Sequence, residues 1–171
     1  MRLPVLFLAL PLALGSSQAP APTLDDATIV AIFDGANTAD IETGRLADQR
    51  GASKEVRAIG ASLARDHEAV RQQGRDLAKK LGVTPTPPNP NPYAEAHAKA
   101  LSALSAKRGA EFDRAFLDHE IAYHQAVIDA VTGTLLPAIT NPELKAFVEK
   151  IAPAFQAHLD MTKAAKRQLG Y

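Results

Sequence analysis

Val83-Thr84-Pro85-Thr86-Pro87-Pro88-Asn89-Pro90-Asn91-Pro92 puts five prolines into ten residues near the middle of a 171-residue chain. Each lacks a backbone N–H and holds φ near −65°, so the stretch is neither helix interior nor central strand. Both flanks read as helix. Upstream, Ser53 is an N-cap with Glu55 and Val56 just inside. From there Val56, Ile59, Leu63, Val70, Leu77 and Leu81 follow a three-and-four spacing up to Gly82. That is the seam of a helix packed on its neighbours, and His67 falls on its missing step. A first long helix precedes it, from about Leu24 to Arg50, with Thr23 or Asp25 as cap and Gly51 as a left-handed stop. Downstream, about Tyr93 to Lys107 reads as a short Ala-rich helix broken by Gly109, and about Ala110 to Leu136 as a third long helix. Pro137 makes a corner before a fourth, which has Asn141 as cap, Pro142 in the first turn, and Leu144, Phe147, Ile151, Phe155, Leu159 and Leu169 along it.

The connections therefore run short, long, short. Short loops at Gly51 and Pro137 make two antiparallel hairpins. The middle connection, about 27 residues, exceeds the about 2–8 that a plain turn needs. It is long enough to return along the molecule and leave the second and third long helices parallel. The expected fold is all-α: a ferritin-like four-helix bundle with one long Pro-rich crossover. An up-down-up-down bundle with a decorated loop is the alternative. A short internal echo, Lys54-Glu55-Val56 ahead of His67 and Lys145-Ala146-Phe147 ahead of His158 at the same interval, supports two related halves.

Composition narrows the chemistry. Nineteen Lys+Arg balance 19 Asp+Glu, which lacks the basic excess of a nucleic-acid binder. There is no Cys, so disulfides, thiolate metal sites and cysteine nucleophiles are excluded. No Gly-rich phosphate loop occurs, and Ser and Thr are scattered without a His-Asp partner set. Residues 1–21 read as a cleaved signal peptide: Arg2, an apolar run from Leu3 to Leu14, then small residues to Ala21. The run is shorter than the about 20 residues of a spanning helix. The expected mature domain is residues 22–171, periplasmic or secreted, with no transmembrane segment.

The polar residues on the inward stripes carry the functional reading. His124 lies between Ile121 and Ile128, with Glu120 one turn before it. His158 continues the Leu144, Ile151, Phe155 stripe, and Glu42 lies one turn from Leu46 on the stripe of Ile32 and Ala39, with Asp40 on its flank. Glu42, His67, Glu120, His124 and His158 thus point inward from four helices. His67 and His124 each lie about 14–15 residues into their helices, so parallel helices bring them level at about 1.5 Å per residue. Imidazole with carboxylate suits a transition metal such as zinc, copper or iron, and unpaired buried groups of this kind are costly. The competing reading is a non-catalytic envelope module whose histidines lock the core through hydrogen bonds. Glu-x-x-His, the di-iron bundle signature, is absent, which disfavours a ferroxidase-type centre. His97 and His119 are expected to face solvent, and Arg71, Arg75, Lys79 and Lys80 to form a solvated face.

Asp40-Ile41-Glu42-Thr43-Gly44-Arg45-Leu46-Ala47, Asp66-His67, Phe112-Asp113, His124 and His158-Leu159 together resemble the bacterial domain-of-unknown-function family 4142 over about Asp25 to Leu169. These are exported proteins, often labelled outer membrane proteins. The resemblance implies a ferritin-like topology and an envelope location, and adds Asp66 and Asp113 to the residues of interest; it implies no particular activity. Long helices with charged faces fit neither a membrane span nor a barrel, at odds with that label.

Overall fold

The structure, a computed structural model, describes residues 24–171; the expected signal peptide lies outside the described residues. Six helices follow in order: α1 Asp26–Arg50, α2 Lys54–Leu81, α3 Pro92–Ser105, α4 Gly109–Ala130, the single turn α5 Leu136–Ala138 and α6 Pro142–Gln168. No strand occurs among the described residues, and no helix among them is long and apolar enough to cross a membrane.

The caps are the ones the local sequence dictates. Asp25, Ser53 and Asn141 accept the first free amides of α1, α2 and α6, from Thr28, Val56 and Glu143/Leu144. Gly82 ends α2 in the left-handed region at φ 67°. Gly51 does not: at φ −54° and ψ 130° it leads straight into the extended Ser53. Its glycine identity serves space instead, because a Cβ there would lie 2.8 Å from the Ala47 carbonyl oxygen.

The third long helix also departs from expectation. α4 stops at Ala130 and widens into a π-turn, Val131–Leu135, before α5. Pro137 cannot donate to residue 133, and its ring crowds that carbonyl. The ladder shifts to a longer step, Leu136 N–H to Val131 C=O.

Helix directions follow from contacts at the two ends. At one end Asp26 accepts from Thr140 and Asn141, and Lys80 pairs with Glu143, so the start of α1, the end of α2 and the start of α6 meet. At the other, Asp113 in the first turns of α4 accepts from the amides of Ala52 and Ser53, both at 2.8 Å. α2 and α4 therefore run parallel. The chain between them starts beside α1, where Thr86 N–H donates to Ala27 C=O, and returns along it as α3, whose Ser105 carbonyl accepts from Arg50. This is the long crossover that the proline run implies.

Two apolar clusters fill the ends of the molecule. One gathers Ile29, Val131, Leu135, Leu144, Val148 and Phe155; the other Ala47, Val56, Leu63, Phe112, Phe116 and Leu117. Between them lies a buried polar layer.

Candidate metal centre

α1 contributes Asn37 and Asp40 to that layer, α2 His67, α4 Glu120 and His124, and α6 His158. They share one level because α2 and α4 are parallel and each histidine sits near mid-helix. The ring centroids are 5.7 Å apart for His67–His124, 5.0 Å for His67–His158 and 5.4 Å for His124–His158.

Each ring has one nitrogen held by the surroundings and one left over. The Asn37 amide nitrogen donates to Phe33 C=O, which turns its oxygen toward His67; His67 Nδ1–H donates to that oxygen at 2.9 Å. His124 Nδ1–H donates to its own helix, at Glu120 C=O, 3.0 Å away. His158 Nε2 faces Asp66 Oδ2 at 3.4 Å. Among the described residues, His67 Nε2, His124 Nε2 and His158 Nδ1 remain buried without a hydrogen-bond partner, as do Asp40 Oδ1 and both Glu120 carboxyl oxygens. Each of the three histidines offers a nitrogen within 4.8 Å of the others', and Asp40, Glu120 and His124 form an overlapping group by the same measure. Asp40 Oδ2 is 3.5 Å from His67 Nε2, and its Oδ1 is 4.0 Å from His124 Nε2.

The electrostatics follow from burial. Loss of water pulls His67 down to about 3, with the neighbouring His158 and His124 adding to the effect, and pulls His124 down to about 4. His158 is lowered for the same reason, with Asp66 opposing. The rings are thus neutral at pH 7, the state in which imidazole is a ligand. Burial also pushes Glu120 up to about 7 and holds Asp40, beside Glu120, well above the usual carboxylate range. Neutral rings with unused lone pairs beside two crowded carboxyls form a site a cation would relieve.

Of the inward set expected from sequence, His67, Glu120, His124 and His158 meet. Glu42 does not: its side chain is 47% exposed and accepts from His97 at 2.7 Å. Asp40, two residues earlier, takes the central place. The same pair corrects the expectation that His97 faces solvent, since it tacks α3 to α1; His119 is likewise half-buried, stacked on Tyr123. Asp66 backs His158 from the rim, whereas Asp113 lies at the end of the molecule as a cap. Asn37 was not expected. Its sequence signal is a position one turn before Asp40 on the inward line Ile29, Phe33, Asn37, Asp40, Gly44, Ala47, buried except for the partly buried Phe33.

The fold and this layer define an all-helical protein with a buried His/Asp/Glu group able to hold a metal ion. The chain belongs to the domain of unknown function family DUF4142, which matches residues 12–165. No curated protein and no solved structure matches it.

Proposed function

We propose that this protein is an exported ferritin-like four-helix bundle, one domain over residues 22–171, that holds a transition-metal ion at its centre. His67, His124 and His158 are the nitrogen ligands, and Asp40, with Glu120 beside it, supplies the carboxylate. The observation that carries this is a set of three buried imidazoles on three helices, each with a nitrogen within 4.8 Å of the others' and each with a ring nitrogen that lacks a hydrogen-bond partner among the described residues. A core built only to be locked by hydrogen bonds would not leave three ring nitrogens unpaired at its middle, because each costs about 1–3 kcal/mol. That argues against the interaction-module reading. Parallel α2 and α4 joined by a long return support the ferritin-like topology.

Three neutral imidazoles and a carboxylate suit zinc, copper, iron or nickel rather than magnesium or calcium. The ion would bring Lewis acidity or, for copper and iron, redox capacity. The protein's own residues bind it, fix the ring tautomers through Asn37, the Glu120 carbonyl and Asp66, and exclude water. Holding the ion for sequestration or sensing is the activity proposed, in the periplasm, to which residues 1–21 direct the chain.

Elemental analysis of protein purified from the periplasmic fraction tests this. About one equivalent of metal is expected, lost in a His67→Ala/His158→Ala double variant. Metal content and melting temperature unaffected by that double change would remove the reading. Metal-free wild-type protein that cross-links to an envelope partner would favour the interaction module. Sequencing the N-terminus of the purified chain checks export.

A further inference from the structure

Resting on that metal centre, we propose that the ion reaches it between α2 and α6, past His158, and that Asp66 draws it in while Arg65 restrains it. The α1/α2 and α1/α4 sides offer a cation less. On the α1/α2 side His67 is backed by Asn37, which lies in a cleft between α1, α2 and α6 whose apolar lining includes Val30, Phe33, Val70, Leu144 and Phe147. The polar groups in that cleft do not serve an ion: the Asn37 oxygen is taken by His67, Arg71 is itself a cation, and the acid, Asp34, is tied to Arg75. On the α4 side His124 is backed by its own helix, and the Tyr123 hydroxyl closes the gap to α1 by donating to Ala36 C=O.

The α2/α6 wall differs. The His158 side chain is 11% exposed, against 4% for His67 and 1% for His124. Its ring spans the wall, with Nε2 toward Asp66 at 3.4 Å and the unpartnered Nδ1 on the other side. Asp66 is 38% exposed, so its carboxylate meets both solvent and ring. A carboxylate at such a mouth attracts cations and exchanges part of their water for an oxygen ligand before the nitrogens are reached. Arg65 occupies that carboxylate: its Nε donates to Asp66 Oδ1 at 3.0 Å and a terminal nitrogen to Ser62 Oγ at 2.9 Å. Arg65 itself is 72% exposed, and so exposed an ion pair is weak enough for an arriving ion to displace.

Stopped-flow uptake of Co²⁺ by the metal-stripped full mature chain, followed by cobalt absorption, tests this. Asp66→Asn keeps an acceptor oxygen for the His158 N–H and removes the charge. The expected result is an association rate lower by about tenfold, with a weaker dependence on ionic strength. Asp66→Glu restores the rate, Arg65→Gln raises it about threefold, and Asp129→Asn on α4, equal in charge change, leaves it alone. An Asp66→Asn association rate within twofold of wild type overturns the route. So does a change confined to dissociation, which would make Asp66 only a support for the His158 ring. Wild-type protein that takes up no Co²⁺ overturns the metal centre itself, and the route with it.

Discussion

Asp40 and Glu42 lie two residues apart on one helix, and two steps of 100° turn a side chain 200° away. Glu42 therefore reaches α3 while Asp40 faces the histidines, although both are acids beside apolar neighbours. Exchanging each for its amide separates the roles. Asp40→Asn should weaken Zn²⁺ binding at least tenfold in calorimetric titration, and Glu42→Gln should leave it within twofold. Asn37 acts one step removed, by presenting an oxygen to His67 Nδ1. Asn37→Ala should cost about 10–100-fold in Zn²⁺ affinity and about 1–3 kcal/mol of stability in urea titrations, since a buried N–H is left unpaired.

α1 and α2 pack through a glycine contact. A Cβ on Gly60 would lie 2.5 Å from the Gly44 carbonyl oxygen, and one on Gly44 would lie 2.7 Å from that of Gly60. Both contacts are to backbone, so helices must separate rather than side chains rotate. Gly60→Ala should therefore destabilise by about 1–3 kcal/mol despite its better helix propensity, measured as a lower melting temperature. The close approach also sets how far His67 stands from Asp40. At the far end, Asp113 is fully buried and satisfies two amides at the α1–α2 corner. Asp113→Ala should lower stability by about 2–4 kcal/mol while leaving metal stoichiometry intact, because it joins elements and touches no ligand.

Across the whole molecule the polar layer couples stability to pH and to metal. In metal-free protein His67 and His124 take up protons near 3 and 4 when folded but near 6.5 when unfolded. The unfolded chain holds more protons in between, so their contribution is present above about 6.5 and lost as pH falls through that window. Glu120 runs the other way: its folded value, about 7, exceeds its ordinary 4.5, so its contribution is present below about 4.5 and lost as pH rises through 7. The stability of wild type relative to Glu120→Gln, measured by urea unfolding in chelator, should accordingly fall from pH 5 to pH 8. A bound ion holds the carboxylates ionised, so the metal-induced rise in melting temperature should grow over the same range. At a hundredfold excess over Kd it corresponds to about 2.7 kcal/mol.

The amino-acid sequence alone determined what depends on neighbours along the chain. The helices and most of their caps follow from Asp25, Ser53, Asn141 and the stripes between them, and the proline run forces a long return. His67, His124 and His158 were legible because each interrupts an otherwise apolar seam. Tertiary packing decided what no stripe carries. At the level of the site, the face that α1 turns to the histidines is Asn37, Asp40 and Gly44, polar or small residues with little hydropathic contrast, so the close crossing on α2 is what selects Asp40 over Glu42. The ring nitrogens left free were also decided in three dimensions, because an imidazole's tautomer is set by whatever its other nitrogen meets across space.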